Sequence, residues 1–179
     1  MGFNIPRKSL AVPHLVHLLN QQLPYFSPEQ TKVYDFDGKD ALALGLKNRD
    51  TRETQDAICL KIVAARGYER FNEHLDAAFC YNWASRAANE LVIAMKDETF
   101  RLIDFRCAYR TIRNCQKLIA NTETSEDVEK KIRRMRSFAQ ETIERTARIY
   151  DENRLSFLAI NSSRSSLILY GDPSHQWFS

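Results

Sequence analysis

Four cations are spaced to act together. Arg106, Arg110, Arg113 and Lys117 follow one another at intervals of 4, 3 and 4 residues. On an α-helix these positions fall within an arc of about 60°. Asp104 is the only acid nearby, and it falls on another side of the helix. Guanidinium forks match phosphate and carboxylate oxygens, and a row of them can follow a nucleic-acid backbone. The stripe is therefore a candidate contact for nucleic acid or for the acidic face of a protein partner. The competing reading is that acids on a neighbouring helix, or solvent, satisfy it. A denser run, Lys130-Lys131-Ile132-Arg133-Arg134-Met135-Arg136, is largely explained within its own helix. Glu126–Lys130, Asp127–Lys131, Glu129–Arg133, Glu141–Arg145 and Glu144–Arg148 are i,i+4 pairs with the acid first, each worth ~0.2–0.5 kcal/mol. Arg134 and Arg136 are left over and join the candidate binding residues.

Metal and catalytic patterns are thinner. His14 and His17 stand three residues apart, with no Cys or acid beside them, and zinc needs at least three protein ligands. Glu69, Glu73, His74 and Asp76 lack the Glu-x-x-His spacing that di-iron bundles carry twice. Neither a metal nor a cofactor is expected. An enzyme would have to place its residues between helices, near Glu69, Glu73, His74, Asn82 and Arg86. Trp83 in the same stretch is expected in the core, where its N–H needs a partner. No Gly-rich phosphate loop, Gly-x-Ser-x-Gly elbow or HExxH is present.

Asp35-Phe36-Asp37-Gly38, after Val33-Tyr34, resembles the nucleophile motif of haloacid-dehalogenase-type phosphatases. Lys39 stands where that motif has Thr or Val, and no parallel α/β sheet is read to carry it. The stretch is read as a turn. The cysteines, Cys59, Cys80, Cys107 and Cys115, are scattered without a CxxC, as expected of reduced, semi-buried thiols in a cytoplasmic protein. No window approaches 18 apolar residues, and Leu15 to Leu19 is too short for a secretory core.

The elements that position these residues are read from the breakers. Residues 29–172 hold no proline, and residues 68–170 hold neither proline nor glycine. Turn-rich β folds and alternating βα folds need such residues every 8–15 positions or so. The chain is therefore expected to be all-α: three to four long helices, short N-terminal helices, and an irregular, partly apolar C-terminal tail. A first helix runs from Pro13 to about Gln22. Ser27-Pro28-Glu29-Gln30 reads as a capping box opening a short helix. A long helical pattern starts near Thr51, with Gly67 as a kink or short break, and continues through Phe71 to Met95. Asp97 and Ser125 are candidate caps for the next two helices. Val128, Ile132, Met135, Ala139, Thr142, Thr146 and Ile149 mark the last one as a packed bundle helix, spaced 4, 3, 4, 3, 4, 3.

One domain, 1–179, is expected, with 1–50 as a possible subsidiary lobe. The net charge of +3 is too small by itself to imply a polyanion partner. The reading that results is a non-catalytic helical binding or assembly subunit, within a larger assembly or homo-oligomer and away from membranes. A protein adaptor using Leu167 to Tyr170 with Trp177 and Phe178 is the alternative, beside the inter-helix enzyme.

Overall fold

A computed structural model describes residues 12–20, 23–48, 50–96, 98–121 and 125–152. Among them are six α-helices and no strand: α1 (Val12–Asn20), α2 (Pro28–Asn48), α3 (Thr51–Arg70), α4 (His74–Met95), α5 (Phe100–Asn121) and α6 (Glu126–Glu152). The fold is an all-α bundle. Asp97 and the C-terminal segment with Leu167 to Tyr170, Trp177 and Phe178 lie outside the described residues. Residues 1–143 form one compact unit, to which α1 and α2 both belong. Residues 144–179 form another, described only as the last turns of α6.

The capping box forms as expected. The Ser27 N–H donates to Gln30 Oε1 at 2.9 Å, and the Gln30 N–H donates to Ser27 Oγ at 3.2 Å. The helix it opens is not short. Asp35 to Gly38 does not turn, and α2 continues to Asn48. The reason is packing against α3. A Cβ on Gly38 would stand 3.1 Å from Leu60 Cβ, and one on Gly45 would stand 2.7 Å from Thr54 Oγ1 and 2.9 Å from the Thr54 backbone nitrogen. From the other side, a Cβ on Gly67 would meet Thr31 Oγ1 at 2.5 Å and Phe26 at 2.7 Å. Gly in a helix interior costs roughly 1 kcal/mol relative to Ala. Here the missing side chains let two backbones approach, which offsets that cost.

α3 is the central helix. Asp50 caps it, accepting from the Arg52 and Glu53 N–H groups at 2.8 and 3.3 Å. Ala57, Ile58, Cys59, Ile62, Ala64 and Ala65 are wholly buried between α2 and α4. Gly67 lies within α3 and does not break it. The break comes at Phe71–Glu73, where Asn72 takes a left-handed φ of 58°. Asn tolerates that conformation better than most residues. The expected 51–95 helix is thus two antiparallel helices.

α4 offers α3 and α5 the small side chains Ala77, Ala78, Ala84, Ala87 and Ala88, all buried. α1 rests on α3 and α5. The expected stripe of α6 is buried at Ile132, Met135, Ala139 and Thr142. Ile132 and Met135 pack with Ala78 and Cys115, joined at the edge by Leu75, Phe79, Leu118 and Val128.

The glycines make a graded test. Gly67→Ala and Gly45→Ala should each lower stability by about 1–2 kcal/mol, overpacking outweighing the gain in helix propensity. Gly38→Ala, whose nearest contacts are looser, should fall within about 0.5 kcal/mol of the parent. Urea midpoints at unchanged m-value check the ranking.

Candidate functional site

The cation stripe on α5 is split by what covers it. α1 lies over the first half. There Arg106 is buried and its Nη1 donates to Asn20 Oδ1 at 2.7 Å. Arg110 turns the same way. Its Nη2 donates to the Leu19 carbonyl at 2.6 Å, and its Nη1 lies 3.0 Å from Glu69 Oε2. Its guanidinium also stacks 5.5 Å from the Tyr81 ring centroid. Burial opposes the Arg110 charge, but Tyr81 and Glu69 outweigh it and hold the pKa above the usual arginine range. These two arginines therefore do not form part of an open basic surface. The acid that holds Arg110 comes from α3, which α5's own sequence cannot reveal. Arg113 and Lys117 are exposed, as are Arg134 and Arg136 on α6. Arg136 stands near Cys115, whose thiol is nonetheless raised to about 11, burial dominating over the cation.

Glu69 is the centre of the geometry. Its Oε2 accepts from Arg110 and from the Tyr81 hydroxyl at 3.0 Å each, with Arg66 Nε at 3.7 Å. Its Oε1 accepts from Asn114 Nδ2 at 2.9 Å. Asn114 Oδ1 in turn lies 2.9 Å from His74 Nδ1. With Asn114 donating to Glu69, its oxygen faces the imidazole, so Nδ1 carries the proton. One carboxylate thereby ties α3, α4 and α5 together. Arg66 reaches further, from Nη1 to the carbonyls of Leu18 at 3.0 Å and Leu19 at 2.8 Å. Arg70, one turn on, donates to the Pro24 carbonyl at 3.0 Å and to that of Leu23.

A second polar cluster joins α2, α3 and α4. The buried Lys61 ammonium contacts Asp35 Oδ1 and donates to the Asp35 carbonyl at 2.9 Å. Tyr68 donates to Asp35 Oδ2 at 3.1 Å, and Cys80 Sγ donates to Oδ1 at 3.2 Å. Burial would raise the Asp35 pKa, but the Lys61, Cys80 and Tyr68 contacts together hold it below the usual carboxylate range. Asp76 moves the opposite way, raised by burial and then by the Glu73 and Asp35 charges. So the Asp-x-Asp stretch supplies its first aspartate to a helix interface, and its second, Asp37, to solvent.

The residues considered for an inter-helix pocket do not converge. Glu69 and His74 meet only through Asn114. Arg86 lies on the outside of α4, its guanidinium 5.9 Å from the Trp83 ring and 5.2 Å from the Phe138 ring. Trp83 is 42% exposed, so its indole sits at the surface and not in the core. His14 and His17 stack with ring centroids 6.4 Å apart. Burial, then the His17 charge, lowers the His14 pKa. Among the described residues no group of three His, Cys, Asp or Glu side chains is arranged to hold a metal ion. All four cysteines are free and buried, and burial pushes the Cys59 thiol up to about 12. No described helix is long and apolar enough to cross a membrane.

Arg66 and Asn114 escaped the sequence reading. The available signal was the i,i+4 pair Arg66–Arg70 beside the apolar face of Ile58 and Ile62. No family model, curated protein or solved structure matches the chain.

Removing the centre should be costly. Glu69→Ala and Arg110→Ala should each lower stability by about 2 kcal/mol, because each strands a half-buried charge and its hydrogen-bond partners. Arg113→Ala and Lys117→Ala should stay within about 0.5 kcal/mol. Denaturant unfolding of the four variants reads the difference. The lowered Asp35 pKa makes a separate prediction. Its contribution is present above the unfolded value of about 3.9 and is lost as pH falls through the lower folded value. Asp35→Asn should therefore be less stable than the parent near neutrality, with the gap narrowing as pH falls below about 4. A gap independent of pH would refute the assignment.

Proposed function

We propose that the protein is a non-catalytic helical assembly subunit that binds another protein. The observation that carries this reading is the inverted amphipathicity of α2. That helix buries Thr31, Gly38 and Gly45 and leaves Val33, Phe36 and Leu44 exposed by 56%, 62% and 47%. Large apolar side chains grouped on one face of a helix mark an interaction surface more than they mark a solvated one. The polar interior supports a scaffold role: Glu69, Asp35, Lys61, Arg110 and His74 are each bonded across a helix interface.

A second reading keeps the cations. Arg113, Lys117, Arg134 and Arg136 are exposed, and they are the members of the original set still able to meet a nucleic-acid backbone or an acidic protein. A capture experiment separates the two. Immobilised parent protein is compared with Val33→Ser/Phe36→Ser/Leu44→Ser and with Arg113→Ala/Lys117→Ala/Arg134→Ala/Arg136→Ala, with and without nuclease. Loss of the retained proteins in the α2 variant alone, unaffected by nuclease, is the expected result. Loss in the cation variant and on nuclease treatment supports the second reading and overturns the first.

A further inference from the structure

The chemistry of the α2 face says what kind of partner fits it. Val33, Phe36 and Leu44 share their arc with Glu29, Asp37 and Asp40, all six within about 100° on a helical projection. All three acids are exposed. The described cations of this helix, Lys32 and Lys39, border the arc on the Phe36 side, about 40° and 60° from that residue. The three acids are thus interleaved with the apolar side chains, while the two lysines line one edge, on a chain whose net charge is +3. From Val33 to Leu44 it runs about 16 Å, the length of three turns of a second helix.

Resting on the assembly reading above, we infer that the outer face of α2 docks a basic amphipathic helix of another protein. Apolar side chains of that helix at i, i+3 or i+4, and i+7 meet Val33, Phe36 and Leu44. Its Lys or Arg residues meet Glu29, Asp37 and Asp40. The other occupants fit less well. An anionic lipid surface or a nucleic-acid backbone is repelled by the three carboxylates. A second copy laid antiparallel, with Val33 over Leu44, brings Asp37 of one chain onto Asp40 of the other. The platform is preorganised, because α2 is held against α3 by the Gly38 and Gly45 contacts and by the Asp35–Lys61 pair. A partner therefore does not have to order it on binding.

The probe is a fluorescein-labelled peptide of about 14 residues, Leu at i, i+3, i+4 and i+7 and Lys elsewhere, titrated by anisotropy with the full chain. Saturable one-to-one binding is expected, weakening as salt rises from about 0.05 to about 0.3 M. Phe36→Ser and Asp37→Lys/Asp40→Lys should each weaken it by about tenfold or more. A peptide with Glu in place of Lys should not bind. Absence of binding, equal affinity for the variants, or equal affinity for the Glu peptide overturns the inference. So does a concentration-dependent dimer in light scattering that Phe36→Ser dissolves, which would make a second copy the occupant. If the peptide fails while Val33→Ser/Phe36→Ser/Leu44→Ser still loses its captured proteins, the basic-helix partner falls and the assembly reading stands. If the triple variant also captures as the parent does, both fall.

Discussion

The fold depends on a short helix that cannot stand alone and on the charges that hold its end. α1 has nine residues, below the length of about 12–15 at which isolated helices become even marginal in water. Burial of Leu15, Leu18 and Leu19 keeps it in place, but its last carbonyls would be left without donors inside the bundle. Arg66 from α3 and Arg110 from α5 supply them, at the negative end of the helix dipole. Two guanidinium groups so close repel each other unless a counter-charge sits between them. Glu69 is that charge, and Tyr81 and Asn114 complete its shell. The carboxylate thus fixes α1 indirectly, through the arginines it makes affordable to bury.

That arrangement explains why periodicity alone could not decide between the two readings of α5. Arg106, Arg110, Arg113 and Lys117 share one stripe in the sequence, and the helix places them on one stripe in the structure. What differs along it is the neighbour. The C-terminal residues of α1, Leu19 and Asn20, meet the first two cations, and the last two meet solvent. Helical spacing tells which residues share a face. It does not tell where a helix from another part of the chain begins and ends, and the partners of Arg110 lie 41 and 91 residues away, at Glu69 and Leu19.

The overall class was legible for a plain reason: a chain without breakers from 68 to 170 has few alternatives to long helices. The capping box at Ser27 and the buried stripe of α6 were legible too, because both are set by residues within a few turns. Errors arose where local preference met tertiary packing. Gly38 and Gly67 look like breakers because glycine disfavours helix by about 1 kcal/mol. Each is instead the point where α2 and α3 come close. Asn72, which carries no such warning in a polar helical stretch, makes the break. Trp83 was misplaced by the usual link between size and burial, which fails where α4 meets its neighbours through alanines and turns its indole outward under Arg86.

The same inversion gives α2 its meaning. Binary patterning assigns large apolar residues to the core and small ones to wherever they fit. In α2 the close approach to α3 reserves the inner face for Thr31, Gly38 and Gly45, so Val33, Phe36 and Leu44 have no place inside. Their exposure is a consequence of how the bundle is built, and the acids between them keep such a face soluble and unable to pair readily with itself. The net charge of +3 hides this, since Lys61, Arg66, Arg106 and Arg110 spend their charge within the fold. Surface charges are screened over about 8 Å at physiological salt. Recognition is therefore governed by the charges within one contact of the apolar row, and on α2 those are Glu29, Asp37 and Asp40 within it and Lys32 and Lys39 along its Phe36 edge.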